Sequence, residues 1–174
     1  QHRDGPPAYS CSMTRTIADN PWFDHRPDPD NPGWMTWNAK DNSRFNGFLG
    51  PVSIRGDDAE DAGWVRMTPE HKHSNFGDNV HGGTILGFID VCLFAGSYAL
   101  GIDLGGRAVT VELSTQFVGA AKVGVALDCR LESVRETGRL LFLRGMLMQR
   151  PTEDAGYANV ASFTAILRKG LPRT

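Results

Sequence analysis

One long apolar segment with a single acidic residue near its middle constrains how this chain of 174 residues can fold. The segment follows the sequence HGG at residues 81–83, and its pattern predicts a helix over residues 84–100 that stops at Gly101. Apolar side chains occupy nearly the whole circumference, so the helix is expected to be buried. A lone buried carboxylate is costly, so Asp90 is expected to be partnered, neutralised or open to a cleft.

Asp90 belongs to a narrow stripe of mostly small and polar residues along this helix. At 100° per residue the members of the stripe fall within about 40° of one line. The helix alone leaves open whether Asp90 is a hydrogen-bonded structural residue or a functional one. The stripe consists of Gly83, Gly87, Asp90, Phe94 and Ser97.

The rest of the chain reads mainly as strands. A short strand is expected at 63–67 before the helix, and Thr137-Gly138 marks a tight hairpin turn between two longer runs. One sheet wrapped around one central helix is an α+β architecture. A single helix covers one face and leaves the sheet edges open, so pairing of edges in a dimer is expected. The long alternating runs are 108–118, 123–134, 140–149 and 157–168.

Composition excludes several classes of protein. A net charge of −2 gives no reason to expect a nucleic acid or an anionic membrane as partner. Three cysteines do not form a disulfide framework, and with no hydrophobic N-terminal region they favour a cytoplasmic location. A membrane-spanning helix is not expected, because Asp90 at its centre would cost about 2.5–3.5 kcal/mol on insertion.

The start of the central helix offers a candidate anion site. Backbone N–H groups there lack intrahelical partners and lie at the positive end of the helix dipole. Glycine lets a ligand oxygen approach closely, so Gly82-Gly83 could hold an oxyanion. HGG alone is a weak signal, since a tight turn before a helix explains it equally well.

The wider pattern is more specific. The chain carries Asn75, five residues, HGG, six residues and Asp90, and it resembles the hotdog-fold acyl-CoA thioesterases, in particular the phenylacetate-pathway (PaaI-type) branch. The resemblance covers roughly residues 45–168 and includes the run 108–118, Gly124, the sequence TGR at 137–139 and the closing strand 157–168. It implies a hotdog fold with sheets joined across a homodimer or a larger homo-oligomer, and hydrolysis of an acyl-CoA to free acid and CoA.

The resemblance also implies a role for each matching residue. The Gly82 N–H would polarise the thioester carbonyl, and Asp90 would act as general base on water or as nucleophile. Asn75 would hold the water or the carbonyl, His81 would brace the site, and Thr110 would assist the aspartate. The glycine and the aspartate of one site would come from opposite subunits. Strict alternation places Thr110 on the polar face of its strand, so its role requires a bulge or a twisted strand end.

No cofactor is expected besides the coenzyme A of the substrate, and no metal, since the histidines lack a familiar ligand spacing. No G-x-S-x-G motif indicates serine-hydrolase chemistry. Basic residues at strand ends are candidates for the CoA phosphates, although solvated strand ends explain them more simply. These candidates are Arg107, Lys122, Arg168 and Lys169.

Residues 1–43 form a separate zone that holds six of the ten prolines, and 44–174 form the domain. We expect an irregular arm that packs on the domain or a partner subunit, or alternatively a lid over the acyl pocket. A short helix is expected at 42–49, with Phe45, Phe48 and Leu49 facing inward, followed by a charged turn at 55–61.

Two other functions remain open at this point. A hotdog protein that binds acyl-CoA as a sensor without turnover would use the same fold, because fold does not fix chemistry. A dehydratase acting on a hydroxyacyl thioester would need a different arrangement of Asp and His. The acyl group is not identified by the sequence, because the pocket depends on how two subunits meet.

Overall fold

A computed structural model describes residues 22–152 and 154–171. It contains nine strands, two α-helices and one short 3₁₀ turn, His71–His73, within those ranges. The helices are α1 (Phe45–Leu49) and α2 (Gly82–Ala99). The strands are β1 (Phe23–Asp24), β2 (Met35–Thr36), β3 (Asn38–Ala39), β4 (Val52–Asp57), β5 (Ala62–Met67), β6 (Val109–Phe117), β7 (Leu127–Glu136), β8 (Leu140–Gln149) and β9 (Ala158–Arg168).

Seven strands form one antiparallel sheet in the order β2-β4-β5-β7-β8-β9-β6. Helix α2 packs on one face of this sheet, and the core lies between them. The contact is closest where α2 crosses β5, since a Cβ built on Gly63 would lie 2.4 Å from the Gly96 carbonyl oxygen. The predicted α+β architecture, one sheet wrapped around one helix, is therefore confirmed.

Helix α2 matches its sequence signals closely. It begins at Gly82, two residues earlier than expected, and Gly101 follows it with φ 72°, the left-handed conformation of a helix stop. By length and composition alone α2 could cross a membrane, but more than half of it is buried inside the fold. Of the predicted polar stripe, Ser97 is buried, whereas Gly83, Gly87, Asp90 and Phe94 are at least partly exposed.

Two predicted boundaries were wrong, one of a turn and one of a strand. The charged turn expected at 55–61 begins later, because residues up to Asp57 belong to β4, where Val52 and Ile54 face the core. The strand expected from residue 123 begins at Leu127, because Gly124 has φ 78° and turns the chain.

The described part of the N-terminal segment packs on the domain. It contributes β1 and β3, which pair with each other, and β2, which pairs with β4 at one edge of the main sheet. An aromatic cluster joins it to the end of α2: the Trp37 ring lies 4.5 Å from Phe23 and 4.6 Å from Tyr98. The segment therefore covers the β4 edge, and among the described residues no strand pairs with the outer edge of β6, the long edge at the other end of the sheet.

The prediction that Phe45 and Phe48 face inward was wrong. Their side chains are 54% and 41% exposed, whereas Leu49 is 1% exposed. The five-residue helix α1 lies beside α2 rather than beneath it, and the Phe45 ring covers Gly87, where a Cβ would lie 2.4 Å from the ring. The Phe45 ring therefore lies on the open side of α2, and the Phe48 ring lies between Phe45 and His73.

The close contact of α2 with β5 makes a testable prediction. Gly63→Ala would drive a methyl group into the Gly96 carbonyl and force α2 away from the sheet, lowering the free energy of unfolding by about 1–3 kcal/mol. Gly138→Ala is the control, because a Cβ there meets nothing within 4 Å, and it should change the value by no more than about 0.5 kcal/mol. Equal urea-unfolding midpoints for both variants would contradict the packing described.

Candidate active site

A small hairpin sets the position of the α2 N-terminus. Ser74 and Val80 form its base, and the Asn75 N–H donates to the Asn79 carbonyl at 2.8 Å. At the next residue pair away from the turn, the His81 N–H donates to the His73 carbonyl at 2.8 Å. The hairpin therefore delivers His81 to the helix start in a fixed place.

His81 is the N-cap of α2, and its side chain makes the backbone N–H groups of the two following glycines different. Its Nδ1 accepts a hydrogen bond from the Gly83 N–H at 2.9 Å. Within the described ranges the Gly82 N–H donates to no acceptor. A Cβ built on Gly82 would be 3.6 Å from the Phe117 ring, an ordinary contact. Gly82 therefore offers a free donor at the positive end of the helix, whereas Gly83 does not.

Asp90 is half-buried on the open side of α2. One of its oxygens, Oδ1, accepts a hydrogen bond from the Thr110 hydroxyl at 2.7 Å. Among residues 22–152 and 154–171 it has no cationic partner within salt-bridge distance. Its other oxygen is left for a ligand or a water molecule.

A β-bulge brings Thr110 to Asp90. The pairing of β6 with β9 shifts register between Thr110 and Glu112, as the sequence required. The shift reverses the expected faces at the start of β6, so that Val109 and Val111 are 42% and 59% exposed. The alternating pattern alone predicted these two valines on the buried face, which the bulge overturns.

Asn75 supports the hairpin with its side-chain oxygen. Oδ1 accepts hydrogen bonds from the Gly77 N–H at 2.8 Å and the Asn79 N–H at 3.2 Å. The amide NH₂ donates to no acceptor in the described part of the chain. If Asn75 contacts a ligand, it therefore does so as a donor.

Gly82 and Asp90 are not brought together within one subunit. They are eight residues apart on the same straight helix, which corresponds to about 12 Å along its axis. Groups that act on one carbonyl must lie within about 3 Å of the reacting atoms. One copy of the chain therefore keeps the two candidate groups apart, and we call them half-sites: a donor end at Gly82 and a carboxylate end at Asp90 with Thr110.

The basic candidates are spread over the molecule. Lys122 donates to Asn79 Oδ1 at 2.8 Å, next to the hairpin, and Lys169 donates to Glu136 Oε1 at 2.5 Å. Arg107, with φ 63°, and Arg168 are both exposed near the β6 edge. In the described residues no three His, Cys, Asp or Glu side chains converge as a metal ion would require.

A groove of about 420 Å³ lies elsewhere, on the sheet face away from α2. Its charged residues neutralise one another, since Glu132 accepts from Arg130 at 2.6 Å and from Arg144 at 2.8 Å. These hydrogen bonds lower the pKa of Glu132 and raise that of Arg130. The groove contains none of the predicted site residues, so we do not assign the chemistry to it.

Sequence reasoning missed the residue that holds the hairpin in place. Apart from His81, the histidines were weighed only as metal ligands, yet one of them, His73, is fully buried and makes several hydrogen bonds. Its sequence context, between Lys72 and Ser74, is polar and gives no sign of burial. Only the fold reveals that this histidine lies beneath the helix start.

Comparison with known proteins identifies a similar family and a shared fold. The model of the thioesterase superfamily matches residues 77–155, from the hairpin through α2 to the turn after β8. Among curated proteins no relative matches the chain.

Several solved structures share the fold. A hypothetical thioesterase with coenzyme A from Streptococcus pneumoniae TIGR4 is 18% identical with a TM-score of 0.59, covering 74% of this chain and 92% of its own. The PaaI protein of the E. coli phenylacetic acid degradation operon is 19% identical (TM-score 0.56; 71% and 82% covered). A Streptococcus mutans UA159 protein bound to acetyl-CoA is 19% identical (TM-score 0.55; 66% and 85%). The hotdog fold and the resemblance predicted from the sequence are confirmed.

Proposed function

We propose that this chain, whose residues 77–155 match the model of the thioesterase superfamily, hydrolyses an acyl-CoA thioester to the free acid and CoA. The observation that carries the proposal is the half-buried Asp90, held by Thr110 on an otherwise apolar core helix. A carboxylate on an apolar helix that keeps one oxygen open to the surface is a candidate for ligand binding or catalysis. The coenzyme A and acetyl-CoA bound to two structural neighbours support the choice of substrate.

The donor end of the site supplies the electrostatic part of the reaction. Attack on the thioester carbonyl places negative charge on its oxygen, and the free Gly82 N–H can donate to that oxygen. The Gly83 N–H donates to the His81 ring, so it does not take part in binding the carbonyl oxygen. The NH₂ group of Asn75, the free part of its amide, is available to hold the carbonyl or the attacking water.

The carboxylate end supplies the proton acceptor or the nucleophile. The Thr110 hydroxyl fixes one carboxylate oxygen of Asp90, so the other can accept a proton from water or attack the carbonyl directly. Single-turnover hydrolysis in ¹⁸O-labelled water tests for the nucleophilic route. Label in the Asp90 carboxylate means that Asp90 formed an anhydride and that water opened it at the Asp90 carbon, whereas a general base puts the label only in the acid released.

A complete site requires two copies of the chain. The separation of Gly82 and Asp90 along α2 prevents them from meeting at one carbonyl, so the Gly82 of one subunit would face the Asp90 of its partner. Strand β6 offers the interface, because it is the uncovered edge of the sheet and carries exposed apolar residues such as Val111 and Phe117. Pairing of two β6 edges would close both sheets into one and place two sites across the boundary.

The first test removes each half-site separately. Asp90→Asn, which is nearly isosteric, should lower kcat for thiol release from a panel of acyl-CoAs by about 10²–10⁴-fold. Gly82→Pro deletes the donor and should cost about 10²–10³-fold. Proline suits the first helical position, and His81, with φ −65° and ψ 138°, already has the backbone that a following proline favours.

Gly82→Ala is the matched control, because it keeps the N–H and meets only an ordinary contact with Phe117. It should retain most of the wild-type activity. Thermal unfolding of all variants separates lost chemistry from lost structure. Full turnover by folded Asp90→Asn would reject the mechanism, and ligand-induced stabilisation of the wild type without any product would favour the acyl-CoA sensor.

The second test asks whether the site crosses the subunit boundary. Gly82→Pro and Asp90→Asn chains with different tags are co-expressed, and heterodimers are isolated by tandem purification. If each site combines the two subunits, one site of the heterodimer is intact and about half of the wild-type activity returns. Heterodimers as inactive as either parent would place both groups of a site in one chain.

A further inference from the structure

His73 is a fully buried polar residue for which the proposed reaction has no direct use. It ends the 3₁₀ turn His71–His73, and its side chain is 0% exposed. The ring meets the Phe48 ring edge to face, with 4.9 Å between centroids. A polar ring buried this deeply needs partners for both nitrogens, and the partners here connect it to the start of its own turn and to helix α1.

Both nitrogens of the imidazole are engaged. Nδ1 accepts a hydrogen bond from the Glu70 N–H at 2.8 Å, so it carries no proton. Nε2 lies 2.7 Å from the Phe48 carbonyl oxygen and must donate to it. The ring is therefore neutral with its proton on Nε2, fixed by one local bond and by one to helix α1.

The main-chain carbonyl of the same residue holds the start of α2. It accepts hydrogen bonds from the His81 N–H at 2.8 Å and from the Thr84 hydroxyl at 3.3 Å. Because its ring is fixed by two hydrogen bonds, the His73 residue holds its main-chain carbonyl in place. That carbonyl in turn fixes the backbone of the N-cap residue His81. The peptide bond that carries the Gly82 N–H follows directly after His81.

We propose that His73 is a positioning residue that sets the direction of the Gly82 N–H. The inference rests on the proposed function, in which that N–H receives the charge of the transition state. A donor is effective only within about 2.7–3.1 Å of the oxyanion. A shift of about 1 Å in a supporting group can cost as much as 10²-fold in rate. His73 touches no reacting atom, so it acts through the carbonyl and His81.

Conservative variants separate the two bonds of the ring. A Gln amide reaches the Nε2 position, so His73→Gln keeps a donor to Phe48 and loses the acceptor for Glu70. An Asn amide reaches the Nδ1 position, so His73→Asn keeps the acceptor and loses the bond to α1. His71→Asn is the matched control on the same turn, because the His71 side chain is exposed.

The decisive readout is a double-mutant cycle with Gly82→Pro. In the wild-type background, His73→Asn and His73→Gln should each lower kcat by about 10- to 100-fold, with KM changed less than about threefold. In the Gly82→Pro background, where the donor is absent, the same changes should cost nothing further. Losses that multiply in the double variants would mean that His73 only supports the fold, and would overturn the inference.

A second readout needs no substrate. In ¹⁵N-labelled protein the Gly82 amide resonance should shift and exchange faster with solvent in the folded His73 variants, but not in His71→Asn, while the Gly138 resonance stays in place. An unchanged Gly82 resonance would overturn the inference. Failure of the wild type to hydrolyse any acyl-CoA would instead reject the proposed function, and the resonance would still decide the role of His73.

Discussion

The packing of helix α2 against the sheet is the contact on which the rest of the fold depends. The buried side is filled so closely that Gly63 and Gly96 meet with no space for a side chain. The sheet lies on one side of the helix, so it cannot also cover the opposite side. It therefore stays partly open, and it carries Gly83, Gly87 and Asp90.

The open side of α2 also bears on the proposal that a second copy of the chain completes the site. A helix of this length separates its positive end from Asp90 by about 12 Å, too far for both to act on one carbonyl. An antiparallel neighbour would place the start of one helix beside the middle of the other. The described N-terminal segment adds to this arrangement by covering the β4 edge, so that pairing through β6 gives a closed dimer rather than a growing sheet.

How far the sequence predicts the structure depends on the kind of pattern involved. Helix α2 and strands β6, β8 and β9 follow from long periodic runs, and Gly101 from its place after the last apolar residue. Strand β4 was missed because its two core residues, Val52 and Ile54, are too few to form a clear alternation beside a charged segment. The inward prediction for Phe45 failed because its ring packs on Gly87, a contact that depends on tertiary geometry.

The sequence predicted which residues belong to the candidate site, but not the hydrogen bonds that join them to the rest of the fold. The spacing of Asn75, HGG and Asp90 named its members, and the need for a bulge at Thr110 followed from the strand pattern. The roles of these residues remain predictions. Hydrogen bonds such as those of His73 join the 3₁₀ turn, α1 and α2 and leave no periodic signal, so only coordinates reveal them.

The central claim is that the Gly82 end of one subunit and the Asp90 end of its partner act on the same carbonyl. A crystal structure of the protein with a non-hydrolysable acyl-CoA analogue that keeps the carbonyl oxygen tests it most directly. We expect that oxygen about 3 Å from the Gly82 nitrogen, with the Asp90 carboxylate of the other subunit facing the carbonyl carbon. An analogue bound away from α2, or an Asp90 closed off from it by Thr110 and the sheet, would contradict the account.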